Sequence, residues 1–273
     1  MTLGWTRWVR SLVAASGWAL LAATAALAKD FRVCADPDYL PFSNRAGAGF
    51  ENKIAATMAK ALGERLTYTW ASTRGPGGYG EFLAANLDAG KCDVVIDLPA
   101  GNQEELTTEP YYASSYVFVS RKADSYDLEN MDSPILQKVR IGFEHDTPPE
   151  DALKLRDLIP HTEAFTVGDT EGVSPATMLR AVRARRIDVL ITWEPAVGRF
   201  LRDYPDLGVS RLPNSRASGS PEQYLFSMSM AVRKDNAVLK KQLDRAIAGH
   251  KDALAAILRR YNVRLYPTAG DNF

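Results

Sequence analysis

Three acidic residues flank the first loop of the chain and are the first candidates for chemistry. Asp36 and Asp38 lie beside a proline, and Glu51 begins the helix-like segment that follows the loop. Grouped carboxylates can act as an acid and base pair or bind a hard cation. Aspartates in a proline-containing turn more commonly accept hydrogen bonds from backbone amides. We expect this structural role for Asp36 and Asp38.

Other residue types that often carry catalysis lack the necessary spacing. His145, His161 and His250 lie far apart and match no metal-ligand pattern such as HExxH. The sequence contains no GxSxG turn for a serine nucleophile. The glycine-rich stretch 74–80 has neither the Lys-Ser/Thr ending of a P-loop nor a GxGxxG spacing. The residues therefore predict no catalytic group, no metal site and no cofactor.

Aromatic and apolar residues gather on loops at the ends of predicted strands. In open parallel sheets, ligands bind at the carboxyl ends of the strands. The sequence therefore predicts an apolar binding cleft with few polar anchors. The predicted cleft residues are Asp36, Tyr39, Leu40, Phe42, Arg74, Tyr79, Pro99, Ala100, Gly101, Trp193 and Glu194. In the alternative interpretation, about half of the aromatic residues only fill the hinge between two lobes of the protein and contact no ligand.

The elements that position these loops follow from hydrophobic periodicity. Residues 31–35 and 94–96 are apolar runs typical of buried parallel strands, and residues 66–70 alternate as a strand. Helical spacing of apolar residues marks a helix over 49–62. Strands alternating with helices imply right-handed crossovers and an α/β architecture.

The same order of elements restarts near residue 139 and continues to residue 191. A strand over 225–232 and a long helix after Asp235 then return to the first unit. We predict two parallel-sheet lobes joined by two hinge crossings, with lobe I formed by residues 29–122 and 227–273 and lobe II by residues 123–226. Such lobes can open and close about their hinge.

The first 28 residues are typical of a cleaved secretory signal peptide. Arg7 and Arg10 precede an uncharged run that ends in Ala26-Leu27-Ala28. An uncleaved membrane anchor is the alternative, because the Ala-rich run is at the short limit for a membrane span. No later stretch is apolar enough to cross a bilayer. The sequence therefore predicts export to a bacterial periplasm.

Charge and cysteine content further restrict the expectations. The full sequence has 33 basic and 33 acidic residues. Removal of the predicted signal peptide takes away Arg7 and Arg10 and no acidic residue, so a slight acidic excess remains. This balance does not favour nucleic acid or an anionic membrane as partner. A monomer is expected.

Cys34 and Cys92 are a potential disulfide in an oxidising compartment. If the offset between their strands is too large, both are simply small buried side chains.

Several longer motifs carry a resemblance to a known family. GFENKIA, AGKCDVVI, TEPYYASSYVFV and RIDVLITWEP together resemble the family 3 extracellular solute-binding proteins, periplasmic receptors with the two-lobed type II periplasmic-binding fold. RVCADPDYLPFSN, and KCDVVI followed by PAG, look more closely like the quinoprotein dehydrogenase-associated subgroup, which includes the MoxJ and XoxJ proteins. Members of that subgroup accompany PQQ-dependent methanol dehydrogenases.

The resemblance implies a non-catalytic accessory factor for a PQQ-dependent alcohol dehydrogenase, with the cleft suited to a protein or peptide segment. PQQ and any calcium or lanthanide ion would belong to that partner. Amino-acid receptors of the family typically bind the ligand carboxylate with an Arg after the third strand, but residues 94–109 contain neither Arg nor Lys. Thr192-Trp193 stands where such receptors usually carry an Asp for the ligand ammonium. A typical amino acid is therefore not the expected ligand.

Two alternatives remain open at this point. The first is a substrate-binding protein that delivers an unknown small solute to an ABC permease. The second is enzymatic, because some periplasmic dehydratases that act on cyclic acids share the fold. Arg74 together with Glu51 or Glu194 is the only candidate set of residues for that chemistry.

Overall fold

The computed structural model describes residues 1–2, 29–74, 77–216 and 219–268. Apart from its first two residues, the predicted signal peptide lies outside these ranges. Within the described ranges, no helix has both the length and the apolar character needed to cross a bilayer.

Twelve strands and six α-helices are found along the described chain. The strands are β1 (Asp30–Ala35), β2 (Asp38–Tyr39), β3 (Ser43–Asn44), β4 (Arg65–Trp70), β5 (Val94–Pro99), β6 (Leu106–Thr107), β7 (Tyr112–Arg121), β8 (Ile141–Glu144), β9 (Thr162–Phe165), β10 (Val189–Trp193), β11 (Leu207–Arg211) and β12 (Leu225–Val232). The helices are α1 (Phe50–Leu62), α2 (Gly78–Phe82), α3 (Pro148–Leu155), α4 (Ala176–Arg183), α5 (Glu194–Gly198) and α6 (Ala237–Arg260). The α/β class predicted from the sequence is confirmed.

The first half of the sheet is built around β1, which pairs in parallel with β4 and with β5. Helix α1 buries Ile54 and Met58 completely, and its apolar side packs with Leu243 and Leu254 of α6 over this half. The helical spacing of those residues in the sequence therefore reflects burial of one helix face. The crossover through α1 places the loop after β1 at the carboxyl edge of the sheet.

The second half repeats this arrangement with β8 at its centre, parallel to both β9 and β10. Separate apolar clusters cover its two faces. Ile141 and Leu153 belong to one cluster, while Leu179 and Val182 of α4 belong to the other. Burial on both faces explains why β8 and β10 are almost continuously apolar in sequence.

Two antiparallel strands join the halves into one ten-stranded sheet. Residues 112–115 of β7 pair with β12, whereas residues 116–120 of the same strand pair with β10. Strand β12 also pairs with β5, so it links β7 to the first half. The sheet order is β4-β1-β5-β12-β7-β10-β8-β9, with β6 paired to β12 and β11 paired to β7.

Cys34 and Cys92 form a disulfide with a Cα–Cα distance of 5.5 Å. The backbone amide of Asp93 donates to the carbonyl of Arg32 at 2.8 Å, which holds the residues before β5 against β1. This local register removes the offset that would have kept the two cysteines apart. In the chain-entropy treatment, a cross-link over 58 residues stabilises the fold by about 4 kcal/mol.

Candidate functional site

A cavity of about 510 Å³ lies where the carboxyl ends of β1 and β5 face those of β8 and β10. The sequence predicts a binding cleft at this edge of the sheet. The predicted residues in its wall are Asp36, Tyr39, Phe42, Tyr79, Pro99 and Trp193. Their role as ligand contacts remains a prediction.

Asp36 shapes the loop that leaves β1. One carboxylate oxygen accepts from the amide of Asp38 at 2.8 Å, and the other accepts from the amide and hydroxyl of Thr73 at 2.8 and 3.0 Å. The side chain is 3% exposed. The structural role expected for Asp36 is confirmed, because its carboxylate is saturated by hydrogen bonds that fix two loops beside the cavity.

Gly49 allows this first loop to close against the start of α1. A Cβ atom on Gly49 would lie 1.9 Å from the carbonyl oxygen of Phe42. The amides of Phe50 and Glu51 donate to the carbonyls of Pro41 and Phe42 at 2.9 and 3.0 Å. The first turn of α1 is thereby held against the loop, and Glu51 faces the cavity.

Aromatic rings from both halves of the sheet form much of the wall. Trp193 lies 5.4 Å from Tyr116 and 6.0 Å from Phe226, measured between ring centroids. Tyr39 and Phe42 form a second pair at 4.9 Å. Such tilted and edge-on arrangements are favourable contacts between aromatic rings. These rings therefore contribute apolar surface to the wall, while the apolar character of the whole cleft remains a prediction.

Carboxylates are also present in the wall, contrary to the expectation of few polar anchors. Burial raises the pKa of Asp97 to about 7, although its carboxylate accepts from the Tyr112 hydroxyl at 3.0 Å. Burial, followed by the charges of Asp97 and Asp36, raises the pKa of Glu51 well above its usual range. These effects reflect the cost of a carboxylate charge away from water and beside like charges.

Glu144 supplies a carboxylate from the opposite half of the sheet. It ends β8, lies in the cavity wall and is 6% exposed. Burial, with a smaller contribution from the Asp169 carboxylate, raises its pKa to about 7, while the hydroxyl of Thr192 opposes this shift. The cavity therefore has acidic groups on both sides.

Basic groups are scarce around these acids. Among the described residues of the wall, His145 is the only basic side chain, and its Nδ1 lies 3.1 Å from the carboxylate of Asp169. Nowhere in the described chain do three or more His, Cys, Asp or Glu residues come together as a metal site. The described wall therefore has no Lys or Arg side chain to balance its acids, although Arg74 lies 3.7 Å from the carboxylate of Asp36 from outside the wall.

Arg74 lies outside the wall, although the sequence predicts it in the cleft. Its guanidinium donates to the carbonyls of Thr170 and Val173 at 3.1 and 3.2 Å and to the carbonyl of Asp38 at 2.6 Å. It also stacks over the ring of Tyr39 at 4.5 Å and is 3% exposed. Because its guanidinium donates to backbone carbonyls of the second half, Arg74 joins the two halves through hydrogen bonds.

Glu194 is turned away from the cavity and toward the end of the chain. Its carboxylate lies 3.6 Å from Arg264 and accepts from the Tyr266 hydroxyl at 3.4 Å. Burial raises its pKa to about 7. The pairing of Glu194 with Arg74 in a catalytic set is therefore not supported by the geometry.

The remaining predicted residues also lie outside the described wall. Leu40 lies in the turn between β2 and β3. Ala100 and Gly101 follow β5, and their amides donate to Ser227 and Thr107 at 2.8 and 3.2 Å. These bonds turn the chain away from the cavity directly after Pro99.

The sequence analysis missed many residues of the wall. Asp97, Tyr116, Glu144 and Phe226 are four of them. Asp97 and Glu144 lie near the carboxyl ends of β5 and β8, so the rule used for the loops also applies to them. Tyr116 and Phe226 come from the antiparallel strands β7 and β12, for which that rule makes no prediction.

The sequence profile of the bacterial extracellular solute-binding proteins, family 3, matches residues 31–263. This chain belongs to that family. The match includes both halves of the sheet and the loops around the cavity.

Three relatives of this solute-binding protein are informative. Protein MoxJ of Methylorubrum extorquens is 31% identical over 253 residues, which are 87% of this chain and 82% of MoxJ. The crystal structure of the periplasmic binding protein XoxJ from Methylobacterium extorquens AM1 is 31% identical with a TM-score of 0.68, covering 87% of this chain and 99% of XoxJ. The crystal structure of MxaJ from Methlophaga aminisulfidivorans MPT has a TM-score of 0.79 at 23% identity, covering 86% of this chain and 100% of MxaJ.

These relatives confirm the resemblance drawn from the motifs. The solute-binding protein has the type II periplasmic-binding fold and is similar to the MoxJ and XoxJ proteins. The MxaJ structure adds similarity of fold.

Proposed function

We propose that this protein is a non-catalytic periplasmic accessory factor for a PQQ-dependent alcohol dehydrogenase, and that its cleft binds a segment of that enzyme. The similarity to MoxJ over 87% of the chain carries the proposal. The motif resemblance to the quinoprotein dehydrogenase-associated subgroup supplies the partner. We expect PQQ and any metal ion to reside in the dehydrogenase.

The wall of the cavity supports a protein ligand. Tyr and Trp side chains are enriched among the residues that dominate protein–protein binding energy. Trp193, Tyr116 and Tyr39 offer such surfaces from both halves of the sheet. An extended partner segment between the halves can contact all three rings.

The proposed lobes follow the division given by the sequence. Lobe I comprises residues 29–122 and 227–273, and lobe II comprises residues 123–226. In this proposal, β7 and β12 act as the hinge crossings, and the cavity opens when the lobes separate.

The test is mild cross-linking in periplasm, followed by purification and identification of the captured protein. We expect a PQQ-dependent dehydrogenase, with capture weakened at least about tenfold in Trp193→Ala and in Tyr39→Ala because both remove a large contact surface. Trp70→Ala is the matched control, since Trp70 lies on β4 and stacks on Tyr68 at 4.4 Å, outside the described wall.

Thermal unfolding of each variant verifies that it is folded before capture is compared. Capture that is unchanged in Trp193→Ala and Tyr39→Ala would exclude the cleft as the interface. If no dehydrogenase is recovered with the parent protein, the accessory role itself is wrong.

A transport role is the second candidate, favoured by the size of the cavity. A volume of about 510 Å³ lies within the usual range for small-molecule sites. In this case the protein would deliver a solute to an ABC permease. A small molecule retained in native mass spectra of the protein, without capture of a dehydrogenase, would favour this function.

A further inference from the structure

The acids in the cavity come from three separate elements. Glu51 lies in the first turn of α1, Asp97 lies on β5, and Glu144 ends β8 in the opposite half. No hydrogen bond from an Arg or Lys side chain to any of the three carboxylates occurs among the described residues. Their arrangement therefore places carboxyl groups on both sides of a partly enclosed space.

Such an arrangement is costly in a protein without its ligand. Removing a carboxylate from water is unfavourable unless a cation or several hydrogen-bond donors compensate it. Glu144 is nine-tenths buried and has no Arg or Lys partner among the described residues. Buried ionisable groups whose charged form is unfavourable are commonly found at functional sites.

The aromatic rings beside the acids offer a second kind of contact to the same type of ligand. The faces of Trp, Tyr and Phe rings attract cations, and the attraction is larger where water is excluded. Trp193, Tyr116 and Phe226 form one ring cluster in the wall, and Tyr39 and Phe42 form another. An organic cation would contact these rings with both its charge and its apolar atoms.

We propose that the cleft recognises a positively charged nitrogen carried on an apolar body, with the charge held by Glu51 and Asp97 and the body by the aromatic rings. This proposal deepens the proposed function, on which it rests, by naming the chemistry of the group that enters the cleft. The wall has no Arg or Lys to pair with a ligand carboxylate among its described residues. A monocation is therefore preferred over a zwitterionic amino acid.

Calorimetric titration with three probes that share a phenyl group tests the charge preference. Phenethylamine carries an ammonium at neutral pH, 2-phenylethanol is its neutral counterpart, and L-phenylalanine adds a carboxylate. We expect the amine to bind at least about tenfold more tightly than either of the other probes, the gain of one charge-assisted hydrogen bond. Equal binding of amine and alcohol, or no binding of the amine, would overturn the proposal.

Isosteric variants identify the acids involved. Glu51→Gln and Asp97→Asn should each weaken amine binding about tenfold and leave binding of the alcohol unchanged. Asp151→Asn is the control, because that side chain is 81% exposed and lies outside the described cavity wall. Unchanged amine affinity in both cavity variants would contradict the proposed site, provided that their thermal unfolding matches the parent.

The cation can come from a free amine or from a lysine side chain of the partner. Purified dehydrogenase with its lysines acetylated distinguishes these sources, because acetylation removes the charge. Loss of binding on acetylation assigns the cation to the partner. Retained binding, together with tight binding of the small amine, assigns the cation to a solute.

These outcomes also separate the two proposals. If the parent protein captures the dehydrogenase but neither Glu51→Gln nor acetylation changes capture, the accessory function stands and the cation proposal fails. If the amine binds as expected and no dehydrogenase is captured, the cation site stands and the accessory function fails.

Discussion

At the scale of single residues, Glu144 shows how a buried acid in the cavity wall can lower stability. Its carboxylate is 6% exposed, and its pKa is raised from the usual value to about 7 by burial. A carboxyl group that holds its proton more tightly in the folded state than in the unfolded state stabilises the fold at low pH. This contribution is lost as the pH rises from about 4.5 through about 7.

Glu144→Gln should therefore raise the free energy of unfolding at pH 8.5 by roughly 1 to 3 kcal/mol and change it little at pH 4.5. The measurement is urea unfolding at the two pH values. Asp151→Asn provides the control, because its side chain is 81% exposed and is expected to show no such dependence. An equal gain at both pH values would indicate a packing effect unrelated to ionisation.

At the scale of elements, the loop after β4 connects the two halves of the sheet through one side chain. Arg74 bonds to the carbonyls of Thr170 and Val173, which belong to the segment between β9 and α4. Tyr39 packs beneath the guanidinium and against the second half. Hydrogen bonds formed by this loop are therefore among the contacts that hold the two halves together beside the cavity.

Arg74→Ala should open the cavity and lower the free energy of unfolding by about 2 to 4 kcal/mol, because buried carbonyls lose a charged donor. Small-angle X-ray scattering should show a larger radius of gyration than for the parent. Arg65→Ala is the control, since that side chain is 71% exposed in its ion pair with Asp30 and its loss should cost well under about 1 kcal/mol. An unchanged radius of gyration in Arg74→Ala would show that other contacts hold the halves together.

At the scale of the whole molecule, one strand runs through both halves. Strand β7 pairs with β12 through residues 112–115 and with β10 through residues 116–120. The end of α6 adds a further contact, because the side-chain amide of Asn262 donates to the carbonyl of Gly198 at 3.0 Å. Neither half can therefore unfold without exposing part of the other.

We expect both halves to unfold in one urea transition. Apart from the predicted signal peptide, the sequence contains two tryptophans, Trp70 and Trp193. Fluorescence of Trp193→Phe therefore reports on Trp70 in the first half. Fluorescence of Trp70→Phe reports on Trp193, which ends β10 of the second half and packs against the core of the first. Within each variant, fluorescence and far-UV circular dichroism should give the same midpoint. A fluorescence midpoint that differs from the circular dichroism midpoint in either variant would show that the halves unfold separately.

The amino-acid sequence by itself determined the order of elements, the α/β class and the loops at the edge of the cavity. These features depend on periodicity and turn chemistry over a few residues, as for α1 and for the hydrogen bonds of Asp36. The motifs of the chain also indicated its family, since they extend over both halves.

Only the tertiary structure decided which side chains of those loops face the cavity. Arg74 bonds to a carbonyl 96 residues away, and Glu194 turns toward Arg264 and Tyr266. Tyr116, Phe226 and the opposed acids meet because separate strands converge, and the disulfide forms because β1 and β5 share a particular register. Contacts between distant segments depend on register and packing, which local sequence patterns do not specify.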